Sequence, residues 1–293
     1  MNAAQQLPQW AADILATPPR SGEGFHNWLF RAARALWKCG RDEHDIRAYL
    51  ASAAETCGRR VAGGEIDDAV RNSRADGFQP SSALRRPWPS VNDEQRAAVI
   101  SSEYGLVDLW EVSPRRLDDN LCHAEEVIDA LFPGDPLLCA GKSRSDFDTR
   151  PREQWRGELS GMQLIVPSPM MARTGRTQEG KESAHTLEQT GPRRFLVIEQ
   201  DRGTPEEQAA VLLHLAERAP LALAAHSGGK SIHGWFYAMG QPEEKLRRFM
   251  RYAVSLGADK ALWTRSQFAR MPDGTRDNGK RQTVYFFNPE IIR

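Results

Sequence analysis

The chain has 293 residues, of which 40% are hydrophobic and 8% aromatic, enough for two domains with buried cores. Lys and Arg balance Asp and Glu at 39 each, so the net charge indicates neither a strongly basic nor a strongly acidic protein. No stretch approaches the roughly 20 apolar residues of a membrane span, and residues 1–10 lack a secretion signal, so we expect neither a membrane protein nor a secreted one.

Residues 24–78 have the pattern of three short amphipathic helices, with apolar side chains recurring every three or four positions. Gly40 and Gly58 end the first two helices, Asp42 caps the second, and the third follows Gly64. Three such helices predict a small bundle.

A linker and weaker signals follow. Residues 79–92 are rich in Pro and Ser, as is typical of a linker, and a helix is expected over 93–103. Residues 118–132 predict another helix.

Short buried strands are predicted within 133–140 and 162–166, separated by the polar stretch 141–155. Residues 167–190 are polar and have little periodicity. A segment of this kind inside a domain is either functional, for example closing over nucleotide or template, or a flexible surface loop.

The last hundred residues have the clearest pattern. Thr204 and Glu207 form a capping box, with Pro205 at the first helical position. The order strand–helix–strand–strand–helix–strand predicts a ferredoxin-like or RNA-recognition-like βαββαβ sheet. Its elements are a strand over 195–199, a helix from 205, strands over 221–225 and 232–238, a helix from 242 and a strand over 283–287.

These elements predict an α+β protein. We expect a helical domain over residues 1–80, a linker and helix over 81–103, and a larger domain over 104–293. The larger domain divides into an αβ module over 104–194 and the sheet over 195–293.

The four cysteines, Cys39, Cys57, Cys122 and Cys139, form no CxxC pair. Cys122 adjoins His123, but no second cluster completes a zinc site. We therefore expect reduced thiols in a cytoplasmic protein.

The C-terminal segment is locally basic. Residues 241–293 contain 11 Lys and Arg against 6 Asp and Glu. Such a segment either holds a polyanion or forms an ordinary solvated surface.

Glu199 and Asp201 lie two residues apart where an apolar strand ends. The period of two in a strand places both carboxylates on one face, where they repel each other unless a cation lies between them. Oxygen ligands of this kind suit Mg²⁺ or Mn²⁺. Two solvated acids at the end of a strand are the alternative.

The segment His226–His233 reads HSGGKSIH and joins two predicted strands. Its glycines permit a tight turn and the close approach of backbone N–H groups to an anion. A plain hairpin turn is the alternative, but it leaves the clustering of polar residues unexplained. The candidate nucleotide-binding residues here are Ser227, Gly228, Gly229, Lys230, Ser231 and His233.

A third polar segment follows the second predicted helix. Asp259 comes after Gly257 and is a candidate to complete an acid cluster, and Arg270 begins the turn-rich stretch RMPDGTR. Arg270, Arg276 and Lys280 are candidates to neutralise phosphates. Carboxylates for two metal ions beside a basic phosphate site are the equipment of phosphoryl transfer.

These three segments resemble the motifs of the archaeo-eukaryotic primase superfamily, which includes the primase–polymerases. Glu199-Gln-Asp201 is similar to its Asp-x-Asp motif, with Glu in place of the first Asp. Ser227-Gly228-x-x-x-x-His233 is similar to its Ser-Gly-x-x-x-x-His hairpin, and Asp259 with the later Arg270-Met-Pro to its third motif.

The resemblance implies a template-directed nucleotidyltransferase that acts on single-stranded DNA and nucleoside triphosphates. Glu199, Asp201 and Asp259 are then the metal ligands for Mg²⁺ or Mn²⁺. They are also catalytic residues together with His233, which contacts the triphosphate. Arg270 binds phosphate.

The N-terminal bundle resembles the helical domain often attached to such primases, where it is associated with primer initiation. Trp28, Trp37, Arg31 and Arg34 are candidates to bind single-stranded DNA, although core packing is the more ordinary role for the tryptophans. The GKS sequence is no P-loop, since Ala224 stands where that motif needs Gly, so unwinding requires a separate helicase.

Two other functions stay open. The protein is alternatively a replication-initiation or defence-associated DNA-binding factor on a primase fold, with little polymerase activity. The third possibility is untemplated nucleotide transfer.

Overall fold

The chain divides into two units in the computed structural model, residues 1–85 and 86–293. Each unit has its own hydrophobic core. The residues that the structure describes are 9–16, 18–19, 25–56, 64–73, 87–102, 104–177 and 179–292.

The described residues of the N-terminal unit contain four helices: α1 (Gln9–Leu15), α2 (Phe25–Lys38), α3 (Glu43–Thr56) and α4 (Glu65–Ser73). The sequence predicted the last three, and the Asp42 carboxylate accepts the Asp45 N–H at the start of α3, as expected of a cap. The predicted end of α3 at Gly58 lies outside the described residues.

Both tryptophans of α2 hold the bundle together. Trp28 Nε1 donates to the carbonyl oxygen of Ile14 at 2.9 Å, and Trp37 Nε1 donates to that of Val70 at 3.0 Å. Trp28 is buried in the core. Trp28 is thus engaged in core packing, whereas Trp37 is only partly buried.

The C-terminal unit begins with three helices, α5 (Asp93–Ile100), α6 (Leu106–Glu111) and α7 (Ala124–Leu131). The helix predicted from residue 118 begins only at Ala124. The Asp118 carboxylate accepts the Asn120 N–H, and Asp273 accepts the N–H of His123, so side chains take the donors of this segment.

A four-stranded antiparallel sheet contains β6 (Phe195–Gln200), β7 (Leu221–His226), β8 (Ile232–Tyr237) and β10 (Val284–Phe287). Helices α8 (Pro205–Ala216) and α9 (Glu243–Ser255) complete the predicted βαββαβ order along the chain. The Thr204–Glu207 capping box is present at the start of α8.

The order of strands across this sheet is β10-β7-β8-β6. A ferredoxin-like sheet places its first strand inside, between the third and the fourth. Here the second strand of the βαββαβ set, β7, takes that inner position and β6 lies at the edge. Periodicity and turn residues identify strands, but they do not specify which edges pair.

A second antiparallel sheet contains β1 (Leu137–Gly141), β2 (Phe147–Pro151), β3 (Leu164–Ile165) and β9 (Ala269–Arg270), in the order β2-β1-β3-β9. Strand β2 lies in the polar stretch that the sequence left unassigned. Strand β9 comes from the C-terminal segment, so the predicted modules 104–194 and 195–293 share this sheet.

The segment 167–190 has a two-stranded ribbon, β4 (Gly175–Arg176) with β5 (Glu182–Ser183). Gln189 and Thr190 are buried, and Gln189 Nε2 donates to the carbonyl oxygen of Ala184 at 2.7 Å. Hydrogen bonds within the segment therefore hold much of it in a defined conformation.

Strand β6 separates two hydrophobic cores. Phe195 and Val197 face α7 and the second sheet, whereas Leu196 and Ile198 face α8 and α9. By this alternation Glu199 faces the second sheet. Among the described helices, none has both the length and the apolar character that crossing a membrane requires.

Candidate active site

Glu199 and His233 are direct partners across the β6–β8 pair, each on the sheet face that carries Val197 and Trp235. The hydrophobic rows of the two strands end at these two residues. Pairing and alternation together therefore place a carboxylate beside an imidazole at the end of the sheet.

The Glu199 carboxylate is held by two neighbours. Ser231 Oγ donates to Glu199 Oε1 at 3.0 Å, and His233 Nε2 lies 3.3 Å from the same oxygen. Burial raises the pKa of Glu199, but His233, Ser231 and Arg270 outweigh it and lower that pKa to about 2. Glu199 is therefore a carboxylate at neutral pH.

His233 is nearly inaccessible, at 2% exposure. Its Nε2 is close to Glu199 but is not directed as a hydrogen bond requires, and neither ring nitrogen has a hydrogen-bond partner among the described residues. A buried imidazole that lacks a well-directed hydrogen bond is uncommon in folded proteins and is a reason to look for a ligand.

The turn after β7 uses its own donors. Ser227 Oγ accepts the N–H groups of Gly229 at 3.3 Å and Ser231 at 3.1 Å. The N–H of Gly228 donates to His226 Nδ1 at 3.2 Å. The sequence predicted these groups as phosphate ligands, and in this structure they form hydrogen bonds within the turn.

Asp201 lies at the edge of the site, just beyond β6. Its Oδ2 is 3.6 Å from Lys230 Nζ, and the two side chains are 39% and 75% exposed. An ion pair this exposed contributes little to stability, so both side chains can reorient at low cost.

Asp259 lies beside the end of β6. Its N–H donates to the carbonyl oxygen of Glu199 at 3.0 Å, next to a bridge between Gln200 and Ala258. Its carboxylate accepts the N–H of Ala261 and caps a short 3₁₀ helix, Lys260–Trp263. The backbone thus brings the third acid to the strand that carries the first.

The three acids do not form a finished metal centre. Within the part of the chain that the structure describes, no three His, Cys, Asp or Glu side chains converge to hold an ion. Glu199, Asp201 and Asp259 each contact another protein group instead. Their carboxylate oxygens are the donors that Mg²⁺ and Mn²⁺ prefer, so the donor type fits while the present rotamers do not.

Glu199 and His233 open onto a cavity of about 260 Å³. Arg270 of β9 lines it, as do Lys142 and Arg144 from the turn between β1 and β2. Burial lowers the pKa of Arg270, and the charges of Arg276 and Arg144 lower it further. Glu199 and Asp277 raise it in part, so the cavity wall holds three cations beside two carboxylates. The other lining residues are Ser143, Gln163, Leu164, Phe268 and Asp277.

Sequence reasoning found Glu199, His233 and Arg270 but missed Lys142, Arg144 and Gln163. The stretch 141–155 is polar, but no pattern in it predicted a strand or indicated that its residues lie near Glu199. The missing information is the pairing of Leu164 with Arg270, which joins two distant segments.

A larger cavity of about 540 Å³ lies between α5, α6, α8 and α9. It is lined by Asp108, Glu111 and Glu217 around apolar side chains, with no Lys or Arg. This cavity lies on the face of the sheet that α8 and α9 cover, and none of Glu199, Asp201 and Asp259 lines it. An anionic substrate therefore fits the cavity of about 260 Å³ better, because Lys and Arg side chains line that cavity and not the larger one.

Comparison of the chain with family models, with curated proteins and with solved structures finds no match. The geometry of the site therefore carries the functional argument.

Proposed function

We propose that the protein is a template-directed nucleotidyltransferase of the primase–polymerase kind, which adds nucleotides on single-stranded DNA. The observation that carries this proposal is the position of Glu199 and His233 at the mouth of a cavity lined by Lys142, Arg144 and Arg270. Acids beside a cationic pocket are what transfer of a nucleotide from a triphosphate requires.

The cavity is small for a whole nucleotide and suits its phosphate chain. His233 offers unsatisfied ring nitrogens, and the cations offer charge-assisted hydrogen bonds to phosphate oxygens. Lys230 leaves its weak pair with Asp201 to contact the triphosphate. Ser231 holds Glu199 in place, and Ser227, Gly228 and Gly229 form the turn that positions Ser231.

Glu199, Asp201 and Asp259 would hold Mg²⁺ or Mn²⁺. When bound, the metal would supply positive charge that favours ionisation of the attacking 3′-hydroxyl and offsets the charge of the leaving pyrophosphate. The low pKa of Glu199 keeps it ionised and ready to bind a cation. Asp201 is exposed, and the Asp259 carboxylate would have to give up its hydrogen bond from the Ala261 N–H in order to bind a cation.

The test is primer synthesis on single-stranded DNA with labelled nucleotides and Mg²⁺ or Mn²⁺. We expect products from the wild type and none from Asp201→Ala or Glu199→Gln. Glu179→Gln, at a carboxylate 76% exposed between β4 and β5 and outside the cavity lining, is the matched control and should synthesise normally. Synthesis retained by Glu199→Gln would remove that residue from the mechanism.

A second function has one observation in its favour: in the described residues the acids do not converge. The protein is then a replication-initiation or defence-associated DNA-binding factor. DNA affinity that is indifferent to Mn²⁺ and nucleotide, with no products, would select it. Untemplated transfer would instead give products whose length does not depend on a homopolymer template.

The partners of the proposed reaction are single-stranded DNA, nucleoside triphosphates and a separate helicase. The thiols of Cys39, Cys122 and Cys139 are free, as in proteins of the reducing cytoplasm, where we place this one.

A further inference from the structure

A hairpin of residues 275–281 lies across the Gly228–Gly229 turn. Thr275 bridges Arg281 at its base, and the N–H of Arg276 donates to the carbonyl oxygen of Lys280 at 2.9 Å. Its residue Asp277 also lines the cavity. The hairpin therefore connects the turn to the cavity wall.

The hairpin can lie this close only because the turn has no side chains. At Gly228, where φ is +67°, a Cβ atom would stand 2.9 Å from Arg276 Cδ and 3.2 Å from two carbonyl oxygens. At Gly229 a Cβ atom would stand 2.8 Å from Arg276 Nη1. The second glycine thus leaves room for one guanidinium group.

That guanidinium has few partners. Arg276 Nε is buried and has no hydrogen-bond partner within the described chain, where Arg276 also forms no ion pair. Its charge acts on Arg270 of the cavity wall, where Glu199 and Asp277 also act, so two cations lie close together with two carboxylates near them. A phosphate that reaches both cations gains from each of them.

We propose that Arg276 is a further phosphate-binding residue of this cavity, and that Gly229 keeps open the space which its guanidinium occupies. This inference rests on the proposed function, because it adds a residue to the same phosphate site. It gives the glycine pair a role other than offering backbone donors to phosphate.

Gly229→Ala is a selective probe of this arrangement. The φ of Gly229 is not in the left-handed region, so alanine is tolerated by the backbone, and the added methyl group meets the flexible end of Arg276. It should displace the guanidinium without unfolding the chain. Gly161→Ala is the matched control, since nothing lies within 4 Å of its Cβ position.

The measurement is calorimetric titration of the full chain with tripolyphosphate. We expect Gly229→Ala and Arg276→Ala each to weaken binding about tenfold, the effect of one charge-assisted hydrogen bond. The double variant should bind as Arg276→Ala does, because the glycine acts only through the arginine. Gly161→Ala and Arg248→Ala, at an exposed arginine of α9, should bind as the wild type does.

Wild-type affinity in Gly229→Ala, additive losses in the double variant, or no binding by the wild type would each overturn the inference. If Gly229→Ala fails to fold, equal affinity of Arg276→Ala and Arg248→Ala overturns it. Because tripolyphosphate binding needs no synthesis, the expected pattern without primer products would support this inference and defeat the proposed function.

Discussion

Glu199 Oε1 lies 3.3 Å from Nε2 of His233, directly opposite it across two paired strands, and Ser231 donates to the same oxygen. The carboxylate is therefore stabilised in its ionised form in a place where burial alone would favour the acid. This relationship makes the stability of the protein depend on pH in a defined direction.

The first prediction concerns Glu199→Gln. The pKa of Glu199 is lowered in the folded state from 4.5 to about 2, so its stabilising contribution is complete above about pH 4.5 and is lost as pH falls towards 2. The wild type should thus lose on the order of 3 kcal/mol relative to Glu199→Gln over that window. Urea unfolding of both at pH 6, 4 and 3 tests this. A difference independent of pH would contradict it, and Glu179→Gln should show no such trend.

The second prediction concerns His233→Asn. Removing the imidazole takes away the largest favourable interaction that lowers the pKa of Glu199, so that pKa should rise towards 4.5. The acid-induced loss of stability should then begin at higher pH than in the wild type. Tripolyphosphate affinity should fall about tenfold. If the variant lost stability over the same acidic pH range as the wild type, the 3.3 Å contact between His233 Nε2 and Glu199 Oε1 would have no electrostatic effect.

The third prediction concerns Arg96, a buried residue of α5. Its guanidinium donates to the carbonyl oxygens of Leu256 and Arg202, each at 2.8 Å. The Arg202 carbonyl follows Asp201 directly and the Leu256 carbonyl lies three residues before Asp259, so Arg96 connects the two segments that carry these acids. Arg96→Leu leaves both carbonyls without this donor and should cost about 2–4 kcal/mol, measured by urea unfolding. Arg248→Leu should cost almost nothing; equal costs would refute the anchoring role.

The fourth prediction concerns Asp273, which is 1% exposed and has a φ of +59°. Its carboxylate binds Arg281 through both oxygens, one at 2.8 Å, and accepts the N–H of His123. Asp273→Ala should cost about 2–4 kcal/mol, because the His123 N–H and the 29%-exposed Arg281 side chain both lose this partner. Asp273→Asn should cost less, since Asn tolerates the left-handed region. A smaller loss from Ala than from Asn would contradict this explanation.

Local structure in the C-terminal hundred residues followed from the sequence. The capping box at Thr204, the turn between β7 and β8 and the end of α9 near Gly257 depend on residues close in the chain. Glu199 and His233 came together as expected, because one hairpin and one strand pairing suffice to join them.

The rest of the site depends on distant pairings that no local pattern encodes. Lys142 and Arg144 enter the cavity because β1 pairs with β3, and Arg270 enters because β3 pairs with β9. The helix expected from residue 118 was shortened by the Asp273 side chain, 150 residues away from His123. The same limit applies to the strand order of the larger sheet.

The pairing of Leu164 with Arg270 also sets an order of events during synthesis. The edge of β3 has no partner until the ribosome has made over a hundred further residues. Closing so long a loop is slow, because its entropic cost comes before any contact offsets it. The cavity is therefore completed late. Phosphate binding by a nascent chain would show that β9 has already paired with β3.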